Sequence, residues 1–274
     1  MWGHHDCLCA AVGPLKSQTP LPSLAVLEAL ERAAAENVPV ALVTVTDSAQ
    51  SALVGNRILV WLDRDPAGAL GLGELEARVV EDARAALRRR RHALLRYPDA
   101  GLELFVEVQQ RPPHLIIVGA GHIAQPLCRL AKICDFRVTV IDDRTQFANP
   151  DRFPDADRII AADIRQTVRD MPMDQDTYVV LVTRGHSLDV ECLLEIIDRP
   201  LAYIGMIGSR RRISAVFSLL TREQGIPQES LDRVHAPIGL PIGAETPAEI
   251  ALCIMAEIIN VYRGGQAVSL SQLR

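Results

Sequence analysis

The feature that most constrains this sequence is a glycine turn between an apolar segment and a helix-like one. Residues 114–127 read HLIIVGAGHIAQPL, in which Gly119, Gly121 and Ala124 form the pattern G-x-G-x-x-A. The first glycine permits a tight turn, the second lets backbone approach a phosphate, and the alanine allows close helix–sheet packing. The N–H groups that open the helix remain free to bind an anion. The stretch therefore predicts a strand, a phosphate-binding turn and a helix.

The sequence after residue 114 repeats this alternation. Apolar runs such as RVTVID, TYVVLVT and LAYIGMIG are each followed by a loop or a segment of helical spacing, and helices are predicted over 125–133, 187–197 and 210–224. Continuous apolar strands indicate a sheet covered on both faces, and strand–helix alternation indicates a parallel, doubly wound sheet. The last helix has a strong start signal, with Thr246 as N-cap, Pro247 at the first position and a glutamate at the third.

The N-terminal half has a different rhythm. It predicts helices over 23–37 and 74–95 and strands over 38–47, 56–63 and 102–108. This is an α+β pattern. We therefore expect an α/β protein with a smaller N-terminal α+β domain and a Rossmann-like C-terminal domain. The predicted bounds are residues 1–108 for the first domain, 109–113 for a proline-containing linker, and 114–274 for the second.

Composition excludes several classes of protein. The formal net charge of −5 argues against a general nucleic-acid binder, and the run Arg88–Arg91 is expected near a helix C-terminus, where cations complement the dipole. No stretch resembles a membrane span or a signal peptide, so we expect a cytoplasmic protein. The six cysteines show no framework spacing and are expected to be mostly small buried hydrophobes. The cluster His4–Cys9 matches no standard zinc pattern, so no metal site is predicted.

Three further segments fall where predicted strands of the parallel sheet end, and a fourth precedes the last predicted helix. Asp142 follows Gly121 by 21 residues and ends the next predicted strand, where an acid that binds a ribose would lie. His122 either caps the glycine turn or contacts a ligand. The segment TRGHSLD places Arg184 and His186 at the same edge. Its Ser187 is expected to be a helix N-cap, with an aspartate in the first turn.

The segments YIGMIGSRRR and PIGLPIGA complete this edge. Their glycines allow backbone to approach a ligand, a serine can cap a helix, and the arginines can bind phosphate or carboxylate in a bidentate manner. Ligands of open α/β sheets bind along the carboxyl edge. The predicted binding residues are Gly119, Gly121, His122, Asp142, Asp143, Arg144, Arg184, His186, Asp189, Gly205, Gly208, Ser209, Arg210, Arg211, Gly239 and Gly243.

Taken together, LIIVGAGHIA, VIDDRTQFANPDRFPDA, TRGHSLD, YIGMIGSRRR and PIGLPIGAETPAEIALCIMAEII resemble the XdhC/CoxI family of xanthine dehydrogenase accessory factors, over about residues 112–264. The resemblance implies a maturation chaperone more than a catalyst. It implies binding of the molybdenum cofactor, help with its sulfuration, and delivery to a molybdo-hydroxylase of the xanthine dehydrogenase type. A cysteine desulfurase and a second copy of the chain are the further partners that it implies.

The N-terminal half departs from the family pattern. The family commonly carries G-S-x-P-R after the first strand, whereas residues 47–52 here read DSAQSA. The family also carries G-G-G-C-x-E before the second helix. Gly71, Gly73 and Glu76 fit that pattern, but Glu74 stands where the cysteine is expected. A carboxylate cannot act as a thiolate nucleophile or a persulfide carrier.

Two alternatives stay open at this point. The glycine turn and Asp142 also suit an NAD(P)-dependent oxidoreductase. Against this, the chain has no Tyr-x-x-x-Lys pair, and its lysines are Lys16 and Lys132. The loss of the family cysteine also suits a ligand-sensing paralogue that no longer delivers a cofactor.

Overall fold

A computed structural model describes residues 22–272, without the side chains of Pro22, Ser23, His186 and Leu270. The cluster His4–Cys9 lies outside the described residues. The chain divides into two compact units, which meet between Arg111 and Pro112. Within the described residues, no helix combines the length and the apolar composition needed to cross a membrane.

The N-terminal unit is an antiparallel sheet with a helix on each face. Its helices are α1 (Pro22–Ala35) and α2 (Leu75–Arg88), and its strands are β1 (Val40–Ser48), β2 (Arg57–Val60), β3 (Ala67–Gly68), β4 (Ala93–Tyr97) and β5 (Leu102–Gln109). The strand order is β3-β2-β1-β5-β4. Side chains of the central strand, β1, point alternately to the two faces of the sheet. Ala41 and Val43 pack in the core under α2, and Val40 and Leu42 pack in the core under α1.

The predicted helix over 74–95 is wrong in its last third. Helix α2 ends at Arg88, Arg90 has a φ of +53°, and Ala93–Tyr97 forms the edge strand β4. The segment pairs with β5 along its whole length, and this pairing overrides the apolar spacing that had suggested a longer helix. The expected place of the arginine run, at a helix C-terminus, is confirmed.

The C-terminal unit is a six-stranded sheet in which every paired neighbour is parallel. Its strands are β6 (His114–Val118), β7 (Arg137–Asp142), β8 (Arg158–Ala161), β9 (Thr177–Leu181), β10 (Tyr203–Met206) and β11 (Val234–His235). Its helices are α3 (Ala124–Ile133), α4 (Ile164–Asp170), α5 (His186–Ile196), α6 (Arg210–Gln224), α7 (Gln228–Asp232) and α8 (Pro247–Arg263). The predicted parallel, doubly wound sheet is confirmed, whereas α4, α7 and β11 were not predicted.

Helices cover both faces of this sheet, which explains its uninterrupted apolar strands. In β6, Leu115 and Ile117 pack in the core formed with α3 and α8. Ile116 and Val118 of the same strand pack in the core on the opposite face. All five residues of β6 are buried. The expected start of α8 is also confirmed, because Thr246 forms a complete capping box there.

The order of the strands defines where a ligand belongs. The order is β8-β7-β6-β9-β10-β11, so the chain starts in the middle, runs outward to β8, and returns to β9 on the other side of β6. This is the strand order of dinucleotide-binding sheets, in which ligands bind outside the carboxyl ends where the order reverses. The glycine turn follows β6 at this reversal.

Candidate functional site

Gly119 is required by the fold itself. Its φ is +105°, and a Cβ at this position would lie 2.5 Å from the carbonyl oxygen of Val182. Its N–H donates to the carbonyl oxygen of Ile141 at 2.7 Å. The backbone that leaves β6 therefore passes between the ends of β7 and β9 with no space for a side chain.

Gly121 has a different surrounding. A Cβ there would meet no atom within 4 Å, and its φ is not positive. Among the described residues, no acceptor pairs with the backbone N–H groups of Gly121, His122 or Ile123, which precede α3. Unpaired N–H groups at a helix N-terminus attract anions. Open space over Gly121 and three free donors beside it form a cradle for an anionic group.

Both backbone polar groups of Ala120, which lies between the two glycines, are hydrogen-bonded to side chains. Its N–H donates to Asp142 Oδ2 at 2.8 Å, and its carbonyl oxygen accepts from Arg152 Nη2 at 3.2 Å. Asp142 is 1% exposed. Burial raises the pKa of this carboxyl, but hydrogen bonds from Arg144 and Ala120 outweigh burial and hold the pKa at about 2. The carboxylate is thus ionised and fixes the turn.

Arg144 and Arg152 lie on the ring of Phe147 beside this turn. The guanidinium carbon of Arg144 is 3.9 Å from the ring centroid, and that of Arg152 is 5.0 Å away. Arg144 also forms an ion pair with Asp142. Sequence reasoning did not single out Phe147 or Arg152, although both fall in VIDDRTQFANPDRFPDA. Spacing gives no sign that this loop folds back onto the glycine turn.

Asp143 and Arg184 form a bidentate ion pair across the end of β6. The two N–O distances are 2.9 and 2.8 Å. Asp143 follows β7 and Arg184 follows β9, so the pair links the loops on both sides of the glycine turn. These two predicted residues are therefore brought together. Their side chains are 36% and 51% exposed, so the ion pair contributes little stability.

The start of α5 differs from its prediction. The N-cap is Gly185, not Ser187, and His186 is the first residue of the helix. Asp189 lies in the first turn, as predicted, but it is 1% exposed and its Oδ1 accepts the N–H of Thr183 at 3.1 Å. This carboxylate faces inward and holds the loop. The N-cap, Gly185, lies two residues before the expected N-cap, Ser187.

The segment after β10 presents free cations. Arg210 and Arg211 are exposed, and neither has an ion pair or hydrogen bond within residues 22–272. Ser209 occupies the N-cap of α6, but its side chain makes no capping bond. Gly208, just before it, is half-buried. Cations at a helix N-terminus oppose the helix dipole, so an anion at this edge would relieve the repulsion.

Gly205 allows the side chains of Tyr203 and Ile238 to pack closely against β10. A Cβ there would lie 2.7 Å from Tyr203 Cε1 and would overlap Ile238. The tight contact explains the glycine within β10 without any ligand, although the sequence had suggested that backbone approach was its role.

Glu257 of α8 anchors the loop PIGLPIGA. Its carboxylate accepts from the Tyr203 hydroxyl at 2.5 Å and from the Gly239 N–H at 3.0 Å. Burial raises the pKa of Glu257, but hydrogen bonds from His235, Tyr203 and Gly239 outweigh burial and lower it. Gly239 has a φ of +100°, and Gly243, with a φ of +82°, has open space around it. The loop is therefore fixed at its start and open near its end.

Burial disfavours nucleophilic chemistry at two of the cysteines in the described region, Cys128 and Cys192. Cys128, Cys192 and Cys253 are buried, as expected, and Cys134 is half-buried. Burial raises the pKa of the Cys128 thiol to about 11 and that of Cys192 to about 12. Both thiols therefore stay protonated at neutral pH. Within residues 22–272, no group of three or more His, Cys, Asp or Glu side chains is arranged to hold a metal ion.

The turn before α2 places Glu74 in the open. Glu74 occupies the N-cap of α2, is exposed and makes no capping bond. Gly71 and Gly73 have φ values of +79° and +58°, and Glu76 Oε2 accepts backbone N–H groups from residues 70, 71 and 72 at 3.0, 3.0 and 3.3 Å. The glycines and Glu76 thus build a rigid turn, and residue 74 is presented on its outside.

Each of the two units matches a known protein family. Residues 115–258 match the XdhC Rossmann domain, and residues 33–98 match the XdhC and CoxI family. A crystal structure of a xanthine dehydrogenase from Bacillus halodurans has the same fold, with a TM-score of 0.52 and 21% identity over 91% of this chain and 99% of that chain.

Two curated relatives are longer. An uncharacterized protein of Escherichia coli, YqeB, is 31% identical over 241 residues, which cover 82% of this chain and 44% of that protein. A probable xanthine dehydrogenase subunit of Bacillus subtilis is 31% identical over 165 residues, or 60% of this chain and 48% of that protein. The chain thus spans about half the length of these relatives. Because a family match covers more than half of its residues, the chain belongs to the XdhC and CoxI family.

Proposed function

We propose that this protein binds the molybdenum cofactor and assists its sulfuration and its insertion into a molybdo-hydroxylase of the xanthine dehydrogenase type. The observation that carries the proposal is the cradle at the start of α3. Open space over Gly121 and the free N–H groups of residues 121–123 suit a phosphate. The molybdenum cofactor is a pterin with a phosphate tail, and its dinucleotide forms carry a second phosphate.

The surrounding charges support the same ligand. Arg210 and Arg211 lie unpaired at the start of α6, on the carboxyl edge that also carries the cradle. His122 is exposed and without a partner among the described residues, so it is free to reach a ligand. These groups can bind and orient an anion, and none of them supplies a proton-transfer pair or a nucleophile. A binding and delivery role fits this set better than catalysis does.

The source of sulfur lies outside the described residues in this proposal. The thiols of Cys128 and Cys192 are buried with raised pKa values, and residue 74 is a glutamate. The protein therefore holds the cofactor while a cysteine desulfurase provides the sulfur. The name of the Bacillus subtilis relative, a probable subunit of xanthine dehydrogenase, supports a client of that enzyme class. A homodimer remains part of the proposal by family resemblance.

Anaerobic titration calorimetry tests the proposal with molybdenum cofactor and, separately, with NAD⁺ and NADH. We expect the wild-type protein to bind molybdenum cofactor, and the Gly121→Val variant to lose at least tenfold in affinity because its side chain fills the cradle. Gly121→Ala is the matched variant with a smaller loss. Tight binding of NAD⁺ without binding of molybdenum cofactor would refute the proposal, and unchanged affinity in Gly121→Val would refute the position of the cradle.

A ligand-sensing paralogue is the second candidate, and the exposed Glu74 favours it. Such a protein keeps the cradle but has no thiol at the tip of the N-terminal turn. Deletion of the gene separates the two roles. Loss of molybdo-hydroxylase activity in the host supports the maturation factor, whereas full activity supports the sensor.

A further inference from the structure

We infer that Arg144 sets the ligand specificity of the glycine turn by occupying the carboxylate that would otherwise bind a ribose diol. The inference deepens the proposed function, on which it rests only for the use of the same cradle. It concerns the class of ligand that the cradle rejects. Nicotinamide dinucleotides are the main members of that class, since an acid at the end of the second strand binds their ribose 2′-hydroxyl.

Every acceptor position of Asp142 is filled from within the protein. Oδ1 accepts from the Arg144 backbone N–H at 3.0 Å and from Arg144 Nε at 2.8 Å. Oδ2 accepts from the Ala120 N–H at 2.8 Å and from Arg144 Nη2 at 2.9 Å. An ionised carboxylate has about four acceptor sites. A ribose hydroxyl that approached Asp142 would therefore find no free lone pair.

Arg144 is held in this position from a second side. Its guanidinium lies 3.9 Å from the centroid of Phe147, and the backbone N–H of Phe147 donates to the Arg144 carbonyl oxygen at 2.9 Å. The Asp142 side chain is 2% exposed and that of Arg144 is 25% exposed. A charge-assisted, stacked pair whose carboxylate is buried opens at a higher cost than a surface pair.

The neighbouring acid does not provide a substitute. Asp143 follows Asp142 directly and is engaged by Arg184 through both oxygens. That pair is exposed and can open. However, the acid that binds a ribose lies at the last residue of the second strand, which is Asp142 here, and Asp143 lies one residue beyond it. The specificity therefore depends on the pair of Asp142 and Arg144.

The test compares ADP with 2′,3′-dideoxy-ADP, which differ only in the ribose diol. The wild-type protein should bind the two equally, however weakly. Arg144→Ala frees two acceptor positions on Asp142, and we expect it to bind ADP at least about tenfold more tightly than dideoxy-ADP, as for hydrogen bonds to a charged group. Removal of a positive charge alone would weaken the binding of both anions, so a gain for ADP cannot arise from net charge.

Three further variants complete the experiment. Arg129→Ala removes an exposed arginine of α3 that has no partner among the described residues, and it should create no preference for ADP. The double variant Arg144→Ala/Asp142→Asn should lose the preference, because the charged acceptor is gone. If thermal unfolding shows that Arg144→Ala is not folded, Arg144→Gln keeps the stem over Phe147 and still frees one acceptor position.

The outcomes separate this inference from the proposed function. The inference is overturned if the wild-type protein already prefers ADP, if folded Arg144 variants gain no preference, or if Arg129→Ala gains the same one. Absence of ADP binding in the wild type together with a gain in Arg144→Ala supports it. Failure of the wild-type protein to bind molybdenum cofactor refutes the proposed function and leaves the result with the two ADP ligands unchanged.

Discussion

The two units each contain a glycine turn that opens a helix, and in each turn a carboxylate accepts backbone N–H groups. In the N-terminal unit, Glu76 accepts from three successive residues, 70–72. In the C-terminal unit, Asp142 accepts from the N–H of Ala120, and the next three N–H groups stay free. The carboxylate of Glu76 thus occupies the N–H groups of residues 70–72, and we call this turn the closed turn. The N–H groups of residues 121–123 stay free, and we call the turn at residues 119–123 the open turn. The closed turn presents a side chain, and the open turn receives an anion.

The largest expected effect separates two glycines of the open turn. Gly119→Ala places a Cβ 2.5 Å from the Val182 carbonyl oxygen at a φ of +105°, and we expect it to lower the free energy of unfolding by about 4 kcal/mol. Gly121→Ala meets no atom and should stay within about 0.5 kcal/mol of the wild type. Urea denaturation followed by circular dichroism measures both. Equal stabilities for the two variants would contradict the division of roles.

The closed turn has a corresponding pair of variants. Glu76→Ala leaves three backbone N–H groups without their charged acceptor, and we expect a loss of about 3 kcal/mol in the N-terminal unit. Glu74→Gln changes an exposed side chain and should cost less than about 0.5 kcal/mol. Fluorescence of Trp61, in a Trp2→Phe background, follows unfolding of this unit. A Glu76→Ala protein as stable as Glu74→Gln would show that the carboxylate does not hold the turn.

The sequence predicted the scaffold of the open turn better than its contacts. Strand–turn–helix order, the parallel sheet and the capped helix α8 follow from local periodicity and from Gly119, Gly121 and Thr246. The contacts of Ala120 could not be predicted, because Arg152 reaches the Ala120 carbonyl oxygen only through the fold of a long loop. The segment 93–97 was misread for a similar reason, since pairing with a distant strand decides its structure.

We expect the two units to differ in acid stability, because a histidine is buried in the sheet of the C-terminal unit. Burial, together with the charge of Arg137, lowers the pKa of His114 in β6 to about 4. Its ring nitrogens pair with Thr139 Oγ1 at 2.8 Å and with Arg137 Nη2 at 3.0 Å. Because the folded-state pKa lies below the unfolded value of about 6.5, stability is fully present above pH 6.5 and is lost as pH falls towards 4.

We therefore expect the C-terminal unit to lose about 2 kcal/mol between pH 7 and pH 5. Native-state hydrogen exchange of the β6 amides measures this loss. His114→Asn should flatten the dependence, whereas His92→Asn, in the N-terminal unit, should leave it unchanged. A wild-type C-terminal unit with constant stability over this range would show that folding does not lower the pKa of His114.

The smallest expected effect on stability tests what the closed turn presents. Glu74→Cys places a thiol at the exposed N-terminus of α2, where the helix dipole lowers a thiol pKa. We expect the variant to stay within about 0.5 kcal/mol of the wild type and to react with iodoacetamide at neutral pH. Cys128 and Cys192 should react far more slowly, because burial raises their pKa values to about 11 and about 12.

Peptide mapping by mass spectrometry assigns the label to each cysteine. Glu81→Cys is the matched control, since residue 81 is exposed on α2 but lies beyond its first turn. A faster reaction at residue 74 than at residue 81 indicates a thiolate stabilised by the start of the helix. Equal rates would mean that the turn exposes residue 74 without activating it. In that case the family cysteine depends on a partner for its chemistry, and the closed turn supplies only its position.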